Sequence, residues 1–525
     1  MSSPRKEGRF PPFLLPLTLT LAALAYRAPM LLSASGATNS DSAVVGLQAL
    51  HFASLRDLGT TSFFLWGSHY QTAADSWVCA AVFTLFGASP RALMATSLAL
   101  YVVLILFAYG TLSTPTLGIG RVRAALLVSL LVFAGAPVHG YALFPPRQVA
   151  LTLAFGAIFA AERAELRGKN AELRLRPWLG ALAGALGMLA VLADPYALLF
   201  VPALAVRALW YDRSTKLATF AGAALGAVPF AWLTTRAAAS HGTFGFSPAL
   251  LGHNLQLLAY PCLPWALSAV EFTPAHFLRW EPWVPRVLPA LVAVGPAGAA
   301  SLIILLGFSA AQPFLRRSKR GNPQPKRHTP LAVSAWVSIL ATLVAFAGSV
   351  MVMDLFSTRY LVALVLLVPF VLAPLAAYVP ARSLALFLVA PLAAGVLSGI
   401  AGYGPFVREV DDGAREAALV HFLDAQQVSE AVADYWVSYR VTFLTGERLV
   451  VVPLNPAEDR WPPYRQQVEH APRVAYLWDP QRSRETLAEV EAKVRATGVP
   501  FERSDVAGYQ VLITSGNGAT ALVQP

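Results

Sequence analysis

The chain has 525 residues, 56% of them hydrophobic and 13% charged, with a formal net charge of +11 and a mean hydropathy of +0.55. That much apolar surface excludes a water-soluble globular protein and marks a polytopic membrane protein. The basic residues fall mostly in short loops between apolar runs, so the positive charge reports membrane topology and argues against a nucleic-acid partner.

At the N-terminus "SPRKEGR" precedes an apolar run from Phe13 to Ser33, longer than the core of a cleaved signal peptide, which reads as an uncleaved first span. A bilayer core about 30 Å thick needs ~20 apolar residues per helix. On that measure the spans expected are 12–34, 90–111, 122–139, 147–162, 178–194, 196–211, 217–236, 286–312, 331–353, 360–379 and 382–402. This is a polytopic α-helical architecture of about eleven spans. The basic clusters Arg121/Arg123, Arg163/Arg167/Lys169, Arg213/Lys216 and Arg316/Arg317/Lys319/Arg320 then lie on the cytoplasmic side. The same parity puts two long loops, 35–89 and 237–285, and the C-terminal tail outside. Cys79 and Cys262 both fall on the outer side, where two cysteines alone do not establish a disulfide.

In the first outer loop, Asn39 to Ser42 begin a helix whose Val45, Ala49, Phe52 and Ala53 share one face, with Gln48, His51 and Ser54 toward the other. The expectation is a helix lying along the membrane surface with its polar side outward. Asp41 at its start reads either as an N-cap or as a general base for an acceptor hydroxyl, and the roles are compatible. "FFLWGSHYQTAADSWVCAAVFTLFG" reads as a second short helix, aromatic at its start, with His69 and Tyr70 after a glycine turn.

Further along, Arg147 in "FPPRQ" is a candidate phosphate ligand, and Asp194 before Pro195 reads as a turn residue. The loop at 237–285, rich in Trp, Pro and His, reads as interfacial helices and turns with Trp265, Trp280 and Trp283 at headgroup level. "FSTRY" puts Arg359 and Tyr360 just outside a span, where an arginine fork can hold a phosphate or simply anchor the helix. His69, Asp75, His139 and Tyr141 are further polar residues on that side. No zinc-ligand spacing, phosphate loop or nucleophile elbow stands out.

Beyond residue 404 the pattern becomes soluble α/β, so the chain divides into a membrane domain, 1–403, and a small extracytoplasmic domain, 404–525. "AREAALVHFLDAQQVSEAVADYWVSYRVTFL" reads as helical, "RLVVVPL", "RVAYLWD" and "GYQVLIT" as strands, and "ETLAEVEAKVRATG" as a helix with a glycine cap. The expected arrangement is βαβ-like.

"DSAVVGLQALHFASLRDLGTTSFFLWGSHYQTAADSWVCAAVFTLFGASPRALMATS" resembles the first outer loop of the glycosyltransferase-C superfamily, in the branch of protein O-mannosyltransferases and lipid A aminoarabinose transferases. The shared features are an Asp after the first span, a W-G-x-x-Y turn and an LFG-x-S step into the next span. "STRY" resembles the family's late RY, and "ADYWVSYRVTFLTGERLVVVP" with "RWPPYRQQVE" resembles the outer domain of bacterial members. The resemblance implies an inverting membrane glycosyltransferase at the outer face of the inner membrane, using a polyprenyl-phosphate-linked sugar and an envelope acceptor, whether glycolipid, polysaccharide or protein. It implies Asp41 as general base, Arg359 with Arg147 as ligands of the donor phosphate, and Trp66, His69 and Tyr70 lining the sugar site with Tyr360 beside them. Family members often carry a second acid next to the first; here Ser42 stands in that place, and no metal or other cofactor is expected. Two other classes remain open on the sequence. A transporter or flippase would show ionisable residues inside spans, for which Arg27 and Asp194 are the nearest candidates, and a silent membrane scaffold would use the outer domain only to bind partners.

Overall fold

A computed structural model describes residues 11–58, 63–135, 145–164, 172–235, 245–269, 288–317, 329–408 and 413–514. Among these, seven helices are long and apolar enough to cross a membrane: Leu14–Leu32, Pro90–Leu112, Arg176–Ala193, Pro289–Ala311, Pro330–Gly348, Ser357–Ala376 and Ala381–Gly402. Each expected span overlaps helix, although 122–139, 217–236 and 286–312 extend into residues outside the described ones. The other four, Arg121–Val132, Gln148–Ala164, the Pro195–Ala208 segment and Arg213–Thr234, are shorter or less apolar. His139, Tyr141, Trp280 and Trp283 lie outside the described residues.

Close approach in the bundle relies on small residues, because lipid tails offer no hydrophobic drive for helix pairing. A Cβ on Gly222 would sit 1.9 Å from Ala181 O, and one on Gly184 would sit 2.0 Å from Thr219 O, so the helices Glu172–Ala193 and Arg213–Thr234 touch backbone to backbone. The charged residues inside the bundle act as ties. Arg27 is buried, donates to Val132 O at 2.8 Å and Leu131 O at 3.2 Å, and lies over the Tyr101 ring at 4.4 Å. It satisfies Val132 O at the end of the helix Arg121–Val132 and adds a donor to Leu131 O. Arg207 and Glu162, both buried, pair across two helices. These contacts give each charge a structural partner where a transport pathway would need mobile ones.

The first outer loop departs from expectation. The helix Ser40–Ala53 is buried along nearly its whole length, including Gln48 and His51, so it does not lie on the membrane surface with a polar side outward. Gln48 and His51 are instead satisfied by protein. Gln48 donates to Phe64 O at 2.7 Å and accepts from Ser76 Oγ at 3.0 Å, and His51 is held between Asp57 and Glu447 at 2.5 Å each. The stretch expected as one short helix holds a hairpin of β1 (Phe64–Leu65) and β2 (Ser68–Thr72) before the helix Ala74–Phe86. Gly67 turns it at φ +69°, a backbone region that glycine enters without strain. Cys79 and Cys262 are both buried, and no disulfide joins them.

The C-terminal domain is a five-stranded sheet in the order β4 (Val450–Pro453), β3 (Glu430–Ala433), β5 (Ala475–Trp478), β7 (Tyr509–Thr514), β6 (Phe501–Val506). β4, β3 and β5 are parallel, and β7 and β6 add antiparallel edges. The βαβ expectation holds, with one correction: β3 interrupts the stretch read as helix. Glu430 and the alanines favour helix locally, but Ala431, Val432 and Ala433 are buried between two parallel strands, where a short apolar run is at home. The helix Leu487–Ala496 opens with a capping box of Thr486 and Glu489 and is followed by Gly498 at φ +72°.

This domain is bolted to the first loop. Arg440, only 3% exposed, donates to Ser35 O at 3.1 Å and Thr38 O at 3.2 Å and pairs with Glu416 at 2.6 Å; Arg482 donates to Gly36 O at 2.9 Å. Two guanidinium groups thus satisfy carbonyls around the end of the short helix Ala34–Ala37. Gly46 lets the partner helix in, since a Cβ there would lie 2.6 Å from the Phe443 ring.

Candidate active site

The N-terminus of the helix Ser40–Ala53 separates the two roles left open for Asp41. Asn39 is the cap: its backbone is extended and its side chain accepts from Ser42 N at 2.8 Å. Asp41 sits in the first turn, at a place where the helix dipole favours a carboxylate, and its side chain is 45% exposed. Its Oδ1 accepts a hydrogen bond from the Tyr435 hydroxyl, and Arg460 Nη2 stands 3.9 Å away. Among the described residues, Oδ2 has no hydrogen-bond donor. One carboxylate oxygen is held and the other is open, the form a general base requires.

Tyr435 and Arg460 come from the C-terminal domain. Burial, reinforced by the charge of Asp41, pushes the Tyr435 phenol well above its ordinary value, so it stays a neutral donor. Burial opposes the charge on Arg460, but Tyr435 and Asp41 outweigh it and hold the guanidinium charged. Arg460 also donates to Tyr435 Oη at 3.2 Å and to Gly67 O at 3.3 Å, which ties the hairpin turn to the same cluster.

A second cluster gathers the two candidate phosphate ligands around Tyr196. The Arg147 guanidinium lies 5.5 Å from the Tyr196 ring, and the Tyr196 hydroxyl donates to Arg359 O at 3.2 Å and accepts from Ala363 N at 2.8 Å. Arg147 is partnered by Asp194, with Nε 3.2 Å from Oδ2. Asp194 also caps the Pro195–Phe200 turn, as its place before a proline suggests, and accepts from Gln71 Nε2 at 3.1 Å. Arg359 is different: its Nη2 donates to the Tyr360 hydroxyl at 3.1 Å, its guanidinium lies 5.0 Å from that ring, and among the described residues no carboxylate pairs with it. Its Nε is buried without a hydrogen-bond partner. Tyr70 lies on β2 and is 39% exposed.

The remaining site residues are placed as follows. Trp66 is 6% exposed and stacks on Trp461 at 4.3 Å and 13°, with His51 against its edge at 4.9 Å, so it packs the seam between loop and domain. His69 lies in β2, and its side chain is outside the described residues. Asp75 is buried and accepts from Gln148 N and Val149 N at 3.1 and 3.3 Å, capping the helix Gln148–Ala164 from another element; burial pushes its carboxyl up to about 7. The sequence reading passed over Tyr435, Arg460, Gln71 and Tyr196. "ADYW" and "DRWPPY" carried the resemblance of the outer domain, but nothing in their spacing points to an aspartate almost four hundred residues earlier.

Among the described residues, no group of three or more His, Cys, Asp or Glu side chains could hold a metal ion. No protein-family model matches the chain, and no curated protein matches it. The chain is similar in structure to the oligosaccharyltransferase of Archaeoglobus fulgidus solved with zinc and sulfate, at a TM-score of 0.50 and 15% identity over 88% of this chain and 67% of that one. It also overlaps ArnT from Cupriavidus metallidurans bound to undecaprenyl phosphate, at a TM-score of 0.49 and 13% identity over 97% of this chain and 99% of that one. The chain shares the fold of the archaeal protein, and its long apolar helices make it a multi-pass membrane chain.

Proposed function

We propose that this chain is a membrane glycosyltransferase that moves a sugar from a polyprenyl phosphate to an envelope acceptor at the outer face of the inner membrane. The observation that carries the reading is the form of Asp41: a half-exposed carboxylate with Oδ1 held and Oδ2 open. Asp41 Oδ2 takes the proton of the acceptor hydroxyl as its oxygen attacks the anomeric carbon. The bond from that carbon to the phosphate oxygen breaks with inversion, and the polyprenyl phosphate leaves with the electron pair.

Arg359 is the stronger candidate for meeting that phosphate. Arg147 is already neutralised in part by Asp194, whereas Arg359 brings a cation with no carboxylate partner among the described residues. In this reading Arg147 orients the site through Asp194, Gln71 and Tyr196, and Tyr70, Tyr360 and His69 border the sugar. Trp66 supports that wall from its stack with Trp461. The first loop and the C-terminal domain lie on the extracytoplasmic side, where the domain frames the way in for the acceptor.

The test is transfer by the purified full-length protein from a panel of polyprenyl-phosphate sugars to a membrane extract. The expected result is a product of inverted anomeric configuration with release of polyprenyl phosphate. Failure with every donor, together with movement of a labelled polyprenyl lipid across the bilayer of proteoliposomes, would overturn it in favour of a flippase.

A further inference from the structure

Tyr435 of the C-terminal domain meets the start of the Asp41 helix at two points. Ser40 Oγ donates to the backbone oxygen of Tyr435 at 2.5 Å, and the next residue, Asp41, accepts from the Tyr435 hydroxyl. Two consecutive residues of the first loop thus grip both ends of a single tyrosine from the other domain. The ring is buried, with Trp436 and Tyr439 against it at centroid distances of 5.2 and 5.9 Å, so the hydroxyl has little freedom.

The direction of that hydroxyl follows from its neighbours. Arg460 Nε donates to Tyr435 Oη at 3.2 Å, and a guanidinium has no acceptor to offer in return. The phenolic proton is therefore left for Asp41, and a chain of donors runs one way, from Arg460 to Tyr435 to Asp41 Oδ1. Arg460 is itself fixed at three further points: its guanidinium lies 5.4 Å from the Tyr435 ring, Nη1 donates to Gly67 O, and its backbone N donates to Tyr439 Oη at 2.6 Å.

The geometry points to Tyr435 and Arg460 as positioning residues of the proposed transfer, contributed by the C-terminal domain and acting through Asp41. Tyr435 fixes the carboxylate so that Oδ2 faces the acceptor hydroxyl, and Arg460 orients the phenol that does so. The inference rests on the reading of Asp41 as the base. It makes the outer domain part of the reaction centre, in addition to its place as a frame for the acceptor.

Tyr435→Phe in the full-length protein tests it, because the ring keeps its contacts and only the donor is lost. A freed carboxylate is misaligned during attack but donor binding is untouched, so kcat should fall roughly 10–100-fold with the KM for the polyprenyl-phosphate sugar unchanged. On an Asp41→Asn background the same change should cost nothing more, since a residue acting through Asp41 has nothing left to position. Arg460→Met should show the same split with a smaller fall, and it carries the test if Tyr435→Phe does not fold. Wild-type kcat in Tyr435→Phe, or losses that multiply in the double variant, would overturn the inference. An inactive Asp41→Asn beside a fully active Tyr435→Phe would remove this inference alone, whereas a fully active Asp41→Asn would remove the base itself.

Discussion

Arg440→Met should undock the C-terminal domain from the first outer loop. The change leaves the Glu416 carboxylate, only 2% exposed, without its cation and removes donors from Ser35 O and Thr38 O. Burial alone would push the Glu416 carboxyl up; Arg440, with a hydrogen bond from Tyr509, holds it below its ordinary value. Breaking such a buried pair from one side costs about 3–5 kcal/mol, because the remaining charge is stranded. The lost carbonyl contacts add to this without full additivity, so about 4 kcal/mol is expected. For a unit of about 100 residues, 1 kcal/mol corresponds to roughly 4–8 °C, which puts the fall in the domain's Tm at about 16 °C or more. Thermal unfolding in detergent, read by protease cleavage within the domain, measures it. Glu416→Gln combined with Arg440→Met removes both charges and leaves Tyr509 a neutral partner, so the double variant should recover at least half of the loss. An unchanged Tm in the single variant, or a double variant no better than the single, would refute the stranded-charge reasoning.

Arg359→Lys keeps the charge but loses the planar fork, and the donor KM should rise by at least roughly tenfold with folding intact; unchanged kinetics in Arg359→Ala would make the residue an anchor only. Membrane-impermeant labelling of engineered cysteines should modify Ser429→Cys and spare Ser318→Cys, and the reverse pattern would invert the topology. Burial would raise the Glu447 carboxyl, but hydrogen bonds from His51, Tyr464 and Arg56 hold it down to about 2. A depressed carboxyl gives stability that is full above its unfolded value, about 4.3, and is lost as pH falls toward 2. Tm should therefore drop across that window, and Glu447→Gln should flatten the drop; equal acid sensitivity in both proteins would contradict this.

The spans were legible because each is a continuous apolar run, and a helix that must satisfy its own backbone in lipid leaves few alternatives. The strands Val450–Pro453, Ala475–Trp478 and Tyr509–Thr514 were legible for a similar reason, as short apolar runs bounded by polar residues. What escaped depended on partners distant in sequence. The Ser40–Ala53 helix has a polar stripe that looks like a solvent face, yet Glu447 meets it at His51 from nearly four hundred residues away. Glu430–Ala433 has the composition of a helix and becomes a strand because two neighbours complete its ladder. The cap was open to misreading because Asn39, Ser40 and Asp41 are all good capping residues, and only the extended backbone at Asn39 selects one. Asp41, Arg147 and Arg359 were each legible as candidates, but their placement beside Tyr435 and Tyr196 is a product of the fold.

The most direct measurement is the initial rate of sugar transfer by Asp41→Asn against the native protein, with a polyprenyl-phosphate sugar as donor and membrane extract as acceptor. Asn39 carries the cap, and an amide oxygen at position 41 can still accept from Tyr435, so Tm should stay unchanged while proton acceptance is lost. Transfer should fall by roughly 10²–10⁴-fold, the loss associated with a general base. Transfer at the native rate in Asp41→Asn would contradict the account.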